Sequence, residues 1–165
     1  MHIRKMKPDD IGRIREIFDQ AICEKCKIAY LNPLTSDEMS HWFEDHVAEE
    51  SPAYVAEIAR TVAGFAYIDP YRPGRAALKQ TAEISYFVDR DYRRRGVATS
   101  LISHTEGECV KLGIKTLFAI IIDNNIDSIR LTEKCGYEKW GHLPEVAVFD
   151  DLEVGHLYYG KRIAR

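Results

Sequence analysis

The chain has 165 residues, of which 45% are hydrophobic and 30% charged, with a formal net charge of −3. Those values describe one globular domain with a core of ordinary size. The mild acidity, with a pI near 6.1, argues against nucleic acid or an anionic membrane as partner, and no apolar run approaches the roughly 20 residues that span a bilayer.

Ile3 opens a short strand ending near Met6, and Pro8-Asp9-Asp10 starts a helix, since proline and acids suit a first turn. Ile11, Ile14, Ile17, Phe18, Ala21 and Ile22 form its apolar face. Asn32-Pro33 breaks the pattern. Thr35-Ser36-Asp37-Glu38 reads as a capping box, opening a second helix to about Glu50 with Met39, Phe43 and Val47 on one side. Ala53 to Ile58 and Val62 to Ile68 read as a hairpin around Ala59-Arg60-Thr61. A Pro-, Gly- and Arg-rich loop from Asp69 to Ala76 precedes a strand from Thr81 to Val88. The turn Arg93-Arg94-Arg95-Gly96 then leads into a helix from Val97 to Leu112, which Gly113 ends. Leu117 to Ile122 is almost continuously apolar, as expected of a buried strand with a parallel neighbour. Asp123-Asn124-Asn125 is a turn, Ser128 to Cys135 a short helix, and Tyr137 to Leu143 and Leu152 to Ile163 the last strands. The order β-α-α-β-β-β-α-β-α-β-β predicts a single α/β (α+β) domain with a mixed sheet and no internal boundary. The polar start, Met1-His2-Ile3-Arg4-Lys5, lacks the apolar stretch of a secretory signal and points to a cytoplasmic protein.

The arginine turn carries the clearest chemistry. Glycine lets the main chain approach a ligand, a helix start offers unpaired N–H groups, and arginine forks match phosphate oxygens. A phosphorylated ligand fits it, as does a solvated basic turn. The four cysteines suggest less. Cys23 and Cys26 have C-x-x-C spacing but lie late in a helical pattern, without the further ligands of a zinc site, and read as two reduced thiols. Cys109 and Cys135 lack the local signature of a nucleophile, and His41, His46, His104, His142 and His156 lack metal-ligand spacing, so no metal is expected.

Strand, arginine-glycine turn, helix, apolar strand, Asn turn, helix and then Gly136-Tyr137 resembles the GCN5-related N-acetyltransferase (GNAT) superfamily over most of the chain. Arg93-x-x-Gly96-x-Ala98 matches that family's acetyl-CoA loop, with Asn125 and Ser128 at the later spacing. The stretches Tyr54-Val55-Ala56-Glu57, Ala63-Gly64-Phe65-Ala66-Tyr67, Arg75-Ala76-Ala77 and Thr81-Ala82-Glu83 resemble its phosphinothricin acetyltransferase branch. The resemblance implies the GNAT fold, about seven strands with about four helices, in a homodimeric enzyme that takes acetyl-CoA and a small-molecule amine. It implies a cofactor site of Phe87, Val88, Arg93, Arg94, Arg95, Gly96, Val97, Ala98, Thr99, Asn125 and Ser128, and acceptor contacts from Arg75 and Tyr86.

Glu83 is the candidate catalytic base. Alternation sets it with Ser85 and Phe87, opposite Ala82, Ile84, Tyr86 and Val88. A carboxylate on a face with an aromatic is partly desolvated, which favours its neutral form; the bland alternative is a strand salt bridge. Asn125 offers an amide to a pantetheine arm or simply caps a helix. Thr132 stands where the branch usually has histidine and the superfamily often tyrosine. It is read either as a catalytic hydroxyl, with Tyr86 as substitute, or as a threonine bonded to its own backbone. Asp150 and Asp151, within Ala147 to Asp151, replace the branch's glycine- and lysine-containing loop. They could attract a cationic acceptor or merely turn the chain.

Overall fold

The computed structural model describes residues 1–24, 27–47 and 51–165. Seven strands form one mixed sheet in the order β1-β2-β3-β4-β5-β7-β6. They are β1 (His2–Lys5), β2 (Ala53–Ile58), β3 (Thr61–Pro70), β4 (Thr81–Val88), β5 (Thr116–Ile122), β6 (Glu138–Phe149) and β7 (Leu152–Arg162). All neighbours are antiparallel except β4 and β5. The helices are α1 (Ile11–Cys23), α2 (Ser36–Val47), α3 (Val97–Lys111) and α4 (Ile126–Lys134). The expected element order, mixed sheet and parallel partner of β5 are all present.

Alternation along the strands builds two cores. On one face Ile14, Ile17 and Phe18 of α1 and Met39 of α2 pack on Val55, Phe65 and Tyr67. On the other, Leu101 of α3 covers Ala56, Ala63 and Ala66, while Ile102 and Cys109 meet Ile84, Leu117 and Ala119. Gly64 leaves room for β4 and the first residue of α3: a Cβ there would come within 2.6 Å of the Phe87 carbonyl oxygen and 3.2 Å of Val97 Cγ1.

Local chemistry sets most boundaries. The capping box forms as expected, with the Glu38 N–H donating to Thr35 Oγ1 at 3.2 Å and the Thr35 N–H to Glu38 Oε2 at 2.8 Å. Pro8–Asp10 is a 3₁₀ turn ahead of α1, because the Asp10 carboxylate accepts from the Lys7 N–H and from Arg4. Ala59 and Arg60 both have positive φ, 49° and 66°, so the β2–β3 hairpin closes in two residues and Thr61 already belongs to β3.

Three expectations are corrected. Val47 is exposed, and His46 is the buried residue of the last turn of α2, since Trp42 and His46 stack at 4.5 Å and face Tyr67. The expected end of α2 at Glu50 lies outside the described residues. Strand β3 continues to Pro70, so Asp69 is a sheet residue rather than a loop residue. Strand β6 runs past Pro144, through an irregularity between Leu143 and Ala147, so Ala147-Val148-Phe149 is strand and only Asp150-Asp151 turns.

Candidate active site

Strands β4 and β5 run parallel for only three register pairs, Thr81↔Thr116, Ala82↔Leu117 and Glu83↔Phe118. Beyond them β5 stays on β7 as far as Ile122↔His156, and β4 stays on β3 as far as Gly64↔Val88. The two strands therefore part after Glu83. The gap opens toward their carboxyl ends, which is where ligands enter sheets with parallel strands. Helix α3 starts just beyond β4 and α4 just beyond β5.

The turn from β4 into α3 is fixed from behind. Asp89 is 2% exposed, and its carboxylate accepts from Arg13, from Gln20 Nε2 at 2.8 Å and from the Asp91 N–H at 2.8 Å. Gln20 Oε1 accepts the Arg90 N–H at 3.0 Å. Arg93 turns back as well, with an ion pair to Glu24 of 2.6 Å and a long contact to the Val88 carbonyl. Its guanidinium is thus an anchor to the end of α1. Arg94 and Arg95 are exposed; Arg94 has φ 62°, and Arg95 lies over the Tyr92 ring at 5.3 Å. Gly96, at φ 79°, precedes α3 with no side-chain cap, and the first helical bond runs from the Ser100 N–H to the Gly96 carbonyl. The N–H groups of Val97, Ala98 and Thr99 consequently have no acceptor within the helix. A left-handed glycine beside three free N–H groups is what a phosphate group fits.

Glu83 stands where β4 and β5 part, half-buried on the face shared with α1 and α2. Burial, with a contribution from the Asp69 carboxylate, raises its carboxyl from 4.5 to about 7. Its partner across the β5 ladder, Phe118, is ringed by Tyr71, Trp140 and Tyr158 at centroid distances of 5.0, 5.4 and 6.1 Å. Trp140 remains 49% exposed and lies flat on Gly160, where even a Cβ would meet its ring. The carboxylate is thus edged by an aromatic wall.

Tyr86 points to the opposite face of β4. The Thr132 hydroxyl donates to the Ser128 carbonyl at 2.8 Å, so its oxygen accepts from the Tyr86 hydroxyl at 2.7 Å. The Tyr86 oxygen in turn accepts from Ser128 Oγ at 2.7 Å. Burial pushes the Tyr86 phenol up, and these two hydroxyls offset part of that. Thr132 itself is 1% exposed. It bonds its own backbone, as the bland reading expects, and also braces Tyr86. Asn125 caps α4 by accepting from the Ser128 N–H at 3.4 Å, while its Nδ2 donates to the Lys27 carbonyl at 3.1 Å. Both ends of that amide are engaged within the protein.

Other expected residues lie apart. The Phe87 ring packs at 4.8 Å from Phe18 and 5.0 Å from Phe65, leaving only its main chain near the gap. Arg75 is exposed at the start of a 3₁₀ turn in the β3–β4 loop. Cys23, Cys109 and Cys135 are free thiols, and Cys26 lies outside the described residues. Among the described residues no group of three His, Cys, Asp or Glu could hold a metal, and no helix is long and apolar enough to cross a membrane. Sequence reading passed over Asp69, Asp89 and His46. Aspartate two residues before another aspartate, at a strand end, was the available signal for Asp89; Asp69 needed the strand register.

Comparison with known proteins agrees with this geometry. The Acetyltransferase (GNAT) family model matches residues 19–137. YwnH of Bacillus subtilis, named as a candidate phosphinothricin acetyltransferase, is 32% identical over 151 residues, 91% of either chain. The L-methionine sulfoximine/L-methionine sulfone acetyltransferase of Pseudomonas aeruginosa is 27% identical, over 87% of this chain and 84% of its own. An N-acetyltransferase from Staphylococcus aureus Mu50 superposes with a TM-score of 0.92 at 30% identity, covering 99% of this chain and 98% of its own. The parted strands, the bare helix start behind Gly96 and these likenesses converge: the chain belongs to the acetyltransferase (GNAT) family and is an N-acetyltransferase of the phosphinothricin acetyltransferase type.

Proposed function

We propose that the protein moves an acetyl group from acetyl-CoA to the primary amine of a small molecule, an amino acid or an analogue of one. The observation that carries this reading is the parting of β4 from β5 immediately after Glu83. In support of the reading, Glu83, with its carboxyl raised to about 7, stands where the strands part, and α3 begins after the end of β4.

In this reading the N–H groups of Val97, Ala98 and Thr99 hold the pyrophosphate, with charge from Arg94 and Arg95. Arg93 serves by bracing the turn. The unpaired edge of β4 as far as Val88 offers main-chain hydrogen bonds to the pantetheine arm and an N–H for the developing oxyanion. Bound acetyl-CoA supplies an acetyl group activated as a thioester. The acceptor arrives mostly as an ammonium ion, since a lysine-like amine has a pKa of about 10.4 and a peptide α-amine one of about 8. Glu83 takes its proton, directly or through water. The freed nitrogen forms the new C–N bond as the C–S bond breaks; it then sheds its second proton, which balances the one the departing thiolate takes up afterwards. Tyr86, on the other face of β4, is the hydroxyl proposed to give it, which requires its proton to turn away from Thr132. Because a thiolate leaves readily, Tyr86→Phe is expected to lower kcat by about tenfold or less, with the KM for acetyl-CoA unchanged in steady-state kinetics.

The reading is tested by thiol release from acetyl-CoA with a panel of free amino acids, their sulfoximine and phosphinic analogues, and simple amines. Release that depends on at least one of them is expected. Binding of acetyl-CoA with no release on any member of the panel would sink it.

A further inference from the structure

Strand β3 sets Asp69 directly opposite Glu83 across the antiparallel ladder. Directly opposed side chains share a face with their Cβ atoms about 5 Å apart, and like charges so placed are destabilising. The arrangement is nevertheless reinforced from α2. His46 is 5% exposed. Its Nδ1 lies 2.7 Å from the Trp42 carbonyl and its Nε2 3.2 Å from Asp69 Oδ1. The imidazole is also stacked on Trp42 and set edge-on to Tyr67 at 4.6 Å. Both ring nitrogens face oxygens, so the ring cannot turn without losing a contact, and it pins one oxygen of Asp69 in turn. A side chain that is 49% exposed and could swing into water is thereby kept beside Glu83.

We propose that Asp69, clamped by His46 and facing Glu83, is a positioning residue for acetyl transfer: its negative charge keeps Glu83 a strong enough base to strip the acceptor ammonium. The proposal rests on Glu83 being the base. The proton leaves the ammonium nitrogen and joins a Glu83 carboxylate oxygen, and Asp69 exchanges nothing. Other ionisable groups also surround Glu83. Tyr67 reaches in from β3, Tyr30 from the segment after α1 and Tyr158 from β7, the last with Tyr71 and Arg72 of the β3–β4 loop acting on it. Strand β5 contributes the uncharged Phe118. Among the described residues, Asp69 is the one carboxylate whose charge acts on Glu83 in the raising direction.

The test needs no acceptor. Protein labelled with 13C at the glutamate side-chain carboxyl is titrated by NMR, and Glu83→Gln assigns the signal that disappears. Wild-type Glu83 is expected to titrate near 7. In Asp69→Asn, and in Asp69→Ser should the first variant misfold, the midpoint is expected to fall by about half a pH unit or more, the effect of losing one like charge within a few ångströms. A folded Asp69 variant with the Glu83 midpoint unmoved overturns the proposal. A wild-type Glu83 titrating in the ordinary carboxylate range would instead count against Glu83 as the base, so the two failures are distinguishable.

Discussion

Glu83→Gln is expected to lower kcat at pH 7–8 by about 10²–10³-fold, the usual worth of a positioned general base, while acetyl-CoA binding measured by calorimetry stays within about twofold of wild type. The substitution keeps shape and hydrogen-bonding capacity and removes only the proton-accepting charge. In the wild type kcat should rise with pH through an acidic limb near 7, where Glu83 becomes ionised. The variant should lack that limb. The same change should stabilise the fold at neutral and alkaline pH. The Glu83 carboxyl is raised in the folded protein relative to its ordinary 4.5, so the folded state holds the proton more tightly than the unfolded chain. Stability therefore falls as pH rises from about 4.5 through about 7 and stays lowered above. Allowing for partial exposure, that strain is about 1–3 kcal/mol, which the amide relieves. Loss of turnover with a gain in melting temperature is a signature that a merely structural glutamate would not give. Full turnover with an intact limb would remove Glu83 from the mechanism.

Asp89→Ala is expected to be the most damaging single change to the fold outside the apolar core. It strips three donors of their acceptor at once: Arg13, Gln20 and the Asp91 N–H. Breaking a buried, hydrogen-bonded ion pair costs about 3–5 kcal/mol. Arg13 is 28% exposed and recovers some hydration, so about 2–4 kcal/mol is the expected loss, or about 6–12 °C in melting temperature for a chain of this size. The sign with pH follows from Asp89 itself. Burial works to raise its carboxyl, but the hydrogen bonds of Gln20 and Asp91 and the charge of Arg13 outweigh it, and the net shift is downward. Its contribution is complete above the unfolded carboxylate range and is lost as pH drops through the lowered folded value. The gap between wild type and variant, measured by thermal denaturation, should narrow in strong acid. Because the same contacts hold the turn into α3, affinity for acetyl-CoA should fall along with stability. A variant as stable as wild type with unchanged affinity would show that the network supports neither.

What could be read from the chain alone divides by the range of the interactions involved. The capping box at Thr35 and Glu38, the turn at Gly96 into α3 and the strand from Thr81 to Val88 depend on neighbours a few residues away, and they stand where expected. Glu83 could be put on a face by alternation, and the structure agrees. Asp69 could not be found that way. It looked like the first residue of a loop, and only the register Asp69↔Glu83 sets it beside that carboxylate. His46 in place of Val47 on the buried side of α2 depends on Trp42 and Tyr67, and Tyr67 is remote in sequence. Arg93 matched a phosphate-binding pattern but spends its charge on Glu24, across a turn that no local signal connects to α1. The extension of β6 past Pro144 was hidden for a related reason: an edge strand tolerates proline, because one of its sides needs no partner.

The short parallel ladder has a consequence for how the molecule responds to occupancy. Among the described residues, three register pairs, Thr81 to Glu83 against Thr116 to Phe118, are the only strand pairing between a four-stranded half-sheet and a three-stranded one. Beyond them the main chain of β4 lacks a strand on that side, so amides there depend on solvent and should exchange their hydrogens readily. If the donor's arm lies along that edge as proposed, it acts as a removable added strand. Its binding energy then adds to folding stability in proportion to the logarithm of its concentration over Kd, and slower amide exchange along β4 is expected while the donor is in place.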